Sequence, residues 1–425
     1  MKTVILGAGL TGLSTAYHLG GDTAVYEREA VPGGVCRSVS VKGYTFDLTG
    51  HLLHLKDVRV KALVDTLLPG VMVPWERRAS IVVNGVRTEY PFQVNTHGQP
   101  AEVVAECLVG FAEAWKAGEE AREGSFKRWI LAAFGPGFAK HFFLPYNEKF
   151  WRRDLDLITA DWVSWAIPQP ALAAVIEGAL GIVKQGLGYN PRFLYPKAGG
   201  INCLAEALAK DVRGLVLGRS AVAVDVAARR VRFDDGSEAA YDTLVSTLPL
   251  NRLVEMANVP EAWKRDARGL EAVGVLNYNV GIARAGVWPD HWTYFPDPAL
   301  PFYRVGVATN FSQGVAPPGT SSLYVEVTLA PGAVADPGKL WSEVRAGLER
   351  VGILSPADEL PVVHPIFIPC AYVVFNRHRQ EVLPGLLEGL RACGVISVGR
   401  YGAWEYSSME KALLDGIAVA EELRS

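Results

Sequence analysis

Apolar and polar positions along the chain change rhythm several times, and the order of those rhythms predicts its elements. Val4-Ile5-Leu6 is a short apolar strand that runs into Gly7-x-Gly9-x-x-Gly12, and an Ala/Leu-rich helix follows to about Gly20-Gly21. A second strand, Thr23 to Tyr26, ends at Glu27, twenty residues after Gly7. Residues 40 to 55 give a short strand and then Phe46-Asp47-Leu48-Thr49-Gly50-His51-Leu52-Leu53-His54. Residues 74 to 95 predict a hairpin, Glu76 to Val83 and Val86 to Tyr90 around Asn84-Gly85, because Asn-Gly between β-type runs is a strong turn signal. From about 100 to 185 the spacing is helical, with Ala101 to Trp115, Glu119 to Phe134 and Phe138 to Trp151, and Gly135-Pro136-Gly137 breaks the last two apart. Ile201 to Ala209 predicts a helix. Short β runs follow at Leu215 to Gly218, Ala221 to Val226, Arg230 to Phe233 and Glu238 to Asp242, and Thr243 to Pro249 is a buried strand rejoining the first sheet. Residues 273 to 375 alternate as β strands around one helix near 339 to 350. Gly394 to Val398 is a last strand and Met409 to Leu423 an amphipathic helix.

A chain of 425 residues exceeds one compact core. The expected division is a discontinuous nucleotide domain over 1–70, 190–265 and 390–425, a helical domain over 96–189, and an antiparallel sheet domain over 71–95 and 266–389. Apolar content of 49%, charge of 20% and a net charge of −3 with no basic stripe describe a soluble globular protein without a nucleic-acid partner. Five scattered cysteines without a CxxC pair predict free thiols and no metal. Ala171 to Gly188 contains Glu177, Lys184 and Gln185, which reads as a core helix rather than a membrane span. The first strand starts at residue 2 or 3, so no targeting segment is expected and the protein is expected in the cytoplasm.

The chemistry begins at the glycines. Gly7 permits the tight turn, Gly9 lets the backbone approach a pyrophosphate, and Gly12 lets helix pack on strand. The helix start offers N–H groups to phosphate, and Glu27 is placed for a ribose hydroxyl. Pro32-Gly33-Gly34-Val35-Cys36-Arg37-Ser38 adds a second glycine turn with a cation. It resembles the second phosphate-contacting segment of the FAD-binding oxidoreductases, which implies FAD. The expected fold is α/β: a Rossmann-like, glutathione-reductase-type FAD domain with an inserted helical domain and an antiparallel substrate sheet.

Further segments resemble the UDP-galactopyranose mutases, the eukaryotic branch in particular. They are Gly50-His51, Tyr90-Pro91-Phe92-Gln93-x-Asn95, Pro145-Tyr146-Asn147-Glu148-Lys149-x-Trp151 and Tyr195-Pro196-x-x-Gly199-Gly200. Trp292-Thr293-Tyr294-Phe295-Pro296, Pro301-Phe302-Tyr303-Arg304 and Gly399-Arg400-Tyr401-Gly402-x-Trp404-x-Tyr406 follow in family order. The resemblance implies interconversion of pyranose and furanose forms of a UDP-sugar through a reduced-flavin N5–sugar adduct, without net redox change, with NAD(P)H as a candidate reductant. It implies roles for His51 and Arg304 in catalysis, Arg304 holding the diphosphate with Tyr372 and Tyr406. Tyr90, Gln93, Phe142, Asn147 and Trp151 match the uridine end, and Asn190 and Tyr294 the sugar side. Gly50 and His51 match a redox-responsive loop. Arg400, Ser408 and Met409 match the closing segment at the flavin, and Val222 and Gly399 complete the cofactor set.

Taken singly, each residue has a plainer reading. An arginine in a strand is usually a surface charge, Phe142-Phe143 and Trp162-Trp165 are usually core, and His54 is a satisfied loop histidine. The chain also departs from the family. Trp165 stands where a second diphosphate arginine is found and Phe311 where a phosphate-side tyrosine is found, while Ser408 is the nearest counterpart of an asparagine. Either Arg377 or Arg379 compensates, or Trp165 packs on a less polar sugar; the second is the expectation. The rival functions are a flavin amine oxidase or desaturase of the protoporphyrinogen-oxidase type, which needs an apolar cage and no diphosphate contacts, and a flavin-binding protein without turnover.

Overall fold

The computed structural model describes residues 2–118, 124–163, 167, 169–182 and 191–425. Its organising sheet has five parallel strands in the order Val395–Ser397, Thr243–Ser246, Thr3–Leu6, Thr23–Tyr26 and Leu215–Val216. Thr3–Leu6 is buried along its length, which is why it reads as an unbroken apolar run instead of alternating. The helices Leu10–Leu19 and Met409–Arg424, from opposite ends of the chain, pack against each other here. The Ser14 hydroxyl donates to the Leu413 carbonyl at 2.7 Å, and a Cβ on Gly416 would stand 2.5 Å from that of Ser14. One sheet thus gathers strands from three distant parts of the chain.

A seven-stranded sheet stands beside it, in the order Val362–Val373, Ala272–Ile282, Ser321–Leu329, Arg304–Val307, Trp292–Tyr294, Ala79–Val83 and Val86–Glu89. Every neighbour is antiparallel except Trp292–Tyr294 beside Ala79–Val83. The Asn84-Gly85 hairpin forms, with positive φ of 52° and 77° at the two turn residues. Its first strand starts at Ala79, not Glu76. The segment Met72–Glu76 instead pairs with Arg192–Pro196.

The helical region contains Ala101–Ala117, Phe126–Phe138, Leu144–Trp151 and Leu172–Ala179. Its second helix starts at Phe126, where the Ser125 hydroxyl accepts from the Arg128 N–H; Glu119, its expected start, lies outside the described residues. Gly135, at φ 75°, interrupts that helix. A Cβ on Gly135 would lie 2.1 Å from the Gly110 oxygen and one on Gly137 2.2 Å from the Glu106 oxygen. The glycine triplet is therefore where two helices touch backbone to backbone. A π-helical turn, Ala139–Phe143, then leads into Leu144–Trp151. A further helix, Arg377–Ala392, follows the last long strand and was not anticipated. Among the described residues no helix is long and apolar enough to cross a membrane.

Candidate active site

At the first loop, a Cβ on Gly7 would meet the Thr247 hydroxyl at 2.3 Å, and one on Gly12 would meet the Gly7 carbonyl at 2.0 Å. Nothing lies within 4 Å of a Cβ built on Gly9. Gly9 caps the helix Leu10–Leu19 without any side-chain cap, so the first-turn N–H groups face that open space. The Gly33 N–H donates to the Ala8 carbonyl at 2.8 Å, and a Cβ on Gly34 would come within 3.2 Å of the Gly9 Cα, so the two glycine turns form one cradle. Glu27 is buried and accepts from the Ala8 N–H (2.8 Å) and the Glu29 N–H (3.0 Å). Arg37 bonds the Gly34 carbonyl (2.7 Å) and Glu29 (3.1 Å). An uncapped helix start beside a backbone free of side chains fits a dinucleotide pyrophosphate. Cys36, buried nearby, has its thiol pushed up to about 12 by burial and is chemically quiet.

The middle of the site is organised by a residue the sequence reading passed over. Glu326, fully buried on Ser321–Leu329, accepts two hydrogen bonds from Arg304, each 2.7 Å. The same carboxylate accepts from the Thr49 hydroxyl and from the Gly50 N–H at 3.3 Å. Burial alone would raise its pKa; the Arg304 guanidinium and the hydrogen bonds outweigh that and hold it below the usual carboxylate range. Arg304 is correspondingly a permanent cation, because the Glu326 charge overcomes the effect of burial. His51 donates through Nδ1 to the Thr49 carbonyl at 3.1 Å, and burial pushes its pKa down to about 4, so at neutral pH it is an uncharged imidazole with Nε2 as acceptor. A cavity of about 10 Å³, room for one water, lies behind this loop, lined by Asp47, Gly50, His51, Tyr195 and Tyr324 among others.

A row of phenols extends away from this centre. Ring centroids run from Tyr90 to Tyr294 (5.5 Å), Tyr294 to Tyr146 (5.7 Å) and Tyr146 to Tyr303 (6.3 Å). The Tyr303 hydroxyl is 3.5 Å from that of Tyr372, whose ring stacks on Tyr406 at 6.5 Å. Burial holds the Tyr146 and Tyr303 phenols well above their usual range, so they remain neutral donors. Arg400 closes the row, its guanidinium 5.1 Å from the Tyr372 ring and 5.2 Å from the Tyr406 ring. It donates to the Ala371 and Ser407 carbonyls, and among the described residues it has no carboxylate partner. With Arg77 also 4.4 Å over the Tyr90 ring, guanidiniums outnumber the Glu326 carboxylate along this row among the described residues, which suits an anionic ligand. Gly399 ties it to the dinucleotide loop: its Cβ would meet the Thr11 hydroxyl at 2.7 Å.

Other expected residues are placed less directly. Gln93 and Asn147 are buried, and Asn147 donates to the Phe143 carbonyl at 2.8 Å. Trp151 is 1% exposed and edge-on to Trp162, and Phe142 packs among Phe92, Phe143 and Tyr146. Phe311 is no phosphate-side residue here. It follows the 3-10 turn Ala308–Asn310 and packs against Phe193, Tyr195 and His291 in the core. Ser408 caps the last helix by accepting from the Lys411 N–H, Met409 is buried, and Val222 is exposed on the strand Ala221–Asp225. Arg379 donates to the Trp404 carbonyl and stands over Phe375, while Arg377 is exposed. Trp165 and Asn190 lie outside the described residues. The missed members are Glu326, Tyr146 and Tyr303; an acid amid the apolar and β-branched run Leu323 to Leu329 was the available signal for the first.

The fold and the dinucleotide cradle define a class. A family model described as flavin containing amine oxidoreductase matches residues 10–424, and the chain belongs to that family. Among solved structures, a reduced UDP-galactopyranose mutase superposes with a TM-score of 0.94 at 26% identity, over 100% of this chain and 95% of that one. A structure from Exiguobacterium sp. 255-15, provisionally titled protoporphyrinogen oxidase, shares the fold at 16% identity, TM-score 0.75, over 99% and 98% of the two chains. Putrescine oxidase bound to putrescine does so at 16%, TM-score 0.66, over 100% and 98%. A protein of Methanothermococcus thermolithotrophicus, described only as an uncharacterized protein in the nifH2 3′ region, is 43% identical over 56 residues, 12% of this chain and 54% of that one. The chain thus spans about half the length of that relative.

Proposed function

We infer that the protein is a flavin-dependent nucleotide-sugar mutase of the UDP-galactopyranose mutase type, of the eukaryotic-like branch, holding FAD and exchanging pyranose and furanose forms of a UDP-sugar. The observation that carries this reading is the continuous wall from Tyr90 to Tyr406, with Arg304 and Arg400 set in it and Glu326 as its one carboxylate. An oxidase of amines or tetrapyrroles calls for an apolar cage, and this wall is hydroxyl-rich and cationic.

FAD would be held by Gly7, Gly9, Gly12, Glu27, Gly33, Gly34 and Arg37, with Gly50, His51, Val222, Gly399, Arg400, Ser408 and Met409 toward its ring. In its reduced form it would supply a nucleophile for the anomeric carbon. The protein's own part is binding and electrostatics. Tyr372, Tyr406 and the N–H groups of Arg304 not bonded to Glu326 would hold the departing diphosphate close enough to return, through hydrogen bonds to charged oxygens. Tyr90, Gln93 and Asn147, backed by Phe142 and Trp151, would read the base, and Tyr294 and Asn190 would face the sugar. His51, a neutral imidazole with Nε2 as acceptor, would take a hydrogen bond from a sugar hydroxyl and orient it. Trp165 remains the proposed contact to a less polar sugar face. The test is anaerobic turnover: reduced protein should isomerise a UDP-sugar while consuming no reductant. Steady peroxide release from an amine or tetrapyrrole would favour the oxidase reading instead.

A further inference from the structure

Lys149 is 6% exposed, and among the described residues no carboxylate forms an ion pair with its amine; burial pushes its pKa down to about 7, and only the protonated form can donate to three acceptors. Its three N–H groups go to three backbone carbonyls, those of Phe295 (2.8 Å), Asp297 and Phe302 (3.2 Å). The Asp297 side chain is turned elsewhere, to Arg350 at 2.9 Å. All three carbonyls belong to the loop 295–302, which joins the strand Trp292–Tyr294 to Arg304–Val307, where Tyr294 pairs with Arg304. Lys149 itself lies on Leu144–Trp151, the helix that carries Tyr146 and Asn147. The backbone of that helix is tied a second time: the Lys149 carbonyl accepts from the Thr328 hydroxyl at 2.5 Å, two residues beyond Glu326.

A buried ammonium is costly unless fully hydrogen-bonded, and this one satisfies three carbonyls that an apolar side chain of the same length would leave unpaired. What the ammonium adds is direction. It fixes the helix to both ends of one loop, and Tyr146 on that helix meets Tyr294 before the loop and Tyr303 after it. We propose that Lys149 is a positioning residue that sets the span between the base end of the cleft, on its own helix, and the diphosphate end at Arg304. This rests on the nucleotide-sugar reading above.

Lys149→Met keeps the stem and removes the donors. In the FAD-loaded protein, UDP should bind at least tenfold more weakly, while uridine alone and inorganic pyrophosphate alone each change less than threefold. Each end stays intact and only their simultaneous engagement is lost. In Lys149→Ala, added methylammonium should recover at least threefold in UDP affinity, and tetramethylammonium, which cannot donate, should not. An unchanged UDP affinity, or equal losses for uridine and UDP, would overturn the proposal while leaving the mutase reading standing. Failure of the unmodified protein to bind UDP at all would overturn both. If neither Lys149 variant folds, Thr328→Val, which loosens the same helix from its backbone side, must show the UDP-specific loss; normal UDP binding there overturns the proposal.

Discussion

The dinucleotide cradle allows two nearly identical substitutions to be set against each other. Gly9 has φ −72° and ψ 177°, open to any residue, and a methyl there would touch nothing within 4 Å. Gly9→Ala should therefore change the stability of the FAD-free protein by less than about 1 kcal/mol, the usual range for a cap substitution. The same methyl occupies the space through which the backbone would meet the pyrophosphate. Losing one or two charge-assisted hydrogen bonds there is worth about 2–4 kcal/mol, a fall in FAD affinity of roughly 30- to 1,000-fold. Gly12→Ala is the reverse case. Its methyl would sit 2.0 Å from a backbone oxygen and 3.3 Å from Ile5, so the fold itself should lose about 1–3 kcal/mol or more. The assay is FAD released on denaturation, together with thermal melts with and without added FAD; bound cofactor raises the melting temperature by mass action. Gly9→Ala should melt like the FAD-free parent and gain little from FAD. A Gly9→Ala protein that keeps full FAD and the parental upshift would refute the cradle, and so would a Gly12→Ala protein as stable as the parent.

Arg304→Lys keeps the charge but loses the two-pronged grip on Glu326, and kcat/KM should fall by about 2 kcal/mol, roughly 30-fold; parental kinetics would return Arg304 to a structural role. Glu326→Ala leaves Arg304 buried without its partner and should destabilise the fold by about 3–5 kcal/mol in chemical denaturation, whereas a change under 1 kcal/mol would contradict the buried pair. His291 is buried among Trp75, Phe193 and Phe311, and burial lowers its pKa from 6.5 to about 4. The unfolded chain therefore takes up a proton between pH 6.5 and 4 that the folded one refuses, so this contribution is whole above pH 6.5 and lost as pH falls. His291→Phe should shrink the stability gap to the parent by about 3 kcal/mol between pH 7 and 4, and parallel stability–pH curves would disprove it. If Trp165 faces the sugar, 6-deoxy or pentose analogues should outperform UDP-galactopyranose, and Trp165→Arg should reverse the preference.

Local signals carried far where one short stretch contains its whole reason. Gly7, Gly9, Gly12 and Glu27 lie within one strand–turn–helix–strand unit, and Asn84-Gly85 specifies its hairpin by backbone conformation alone. Signals failed where packing overrode composition. Arg377–Ala392 contains Pro384 and two glycines, residues that argue against a helix, yet Leu383, Leu386 and Leu390 recur on one buried face and hold it. The helix start at Phe126 is readable from Ser125, a cap residue. At the site, Arg304 was visible in its motif, while Glu326 and the Tyr146–Tyr303 contact depend on strands and helices meeting across the sheet, which spacing along the chain does not report.

If this wall serves an isomerase, the activity must appear without net redox change. Its most direct test is to incubate UDP-galactopyranose, and its 6-deoxy and pentose analogues, with dithionite-reduced protein under anaerobic conditions and to separate the nucleotides by chromatography with mass detection. The expected product is a new nucleotide-sugar of unchanged mass whose anomeric proton signal is that of a furanose, formed only with reduced flavin. Recovery of every UDP-sugar unchanged, from protein shown to carry reduced FAD, would contradict it.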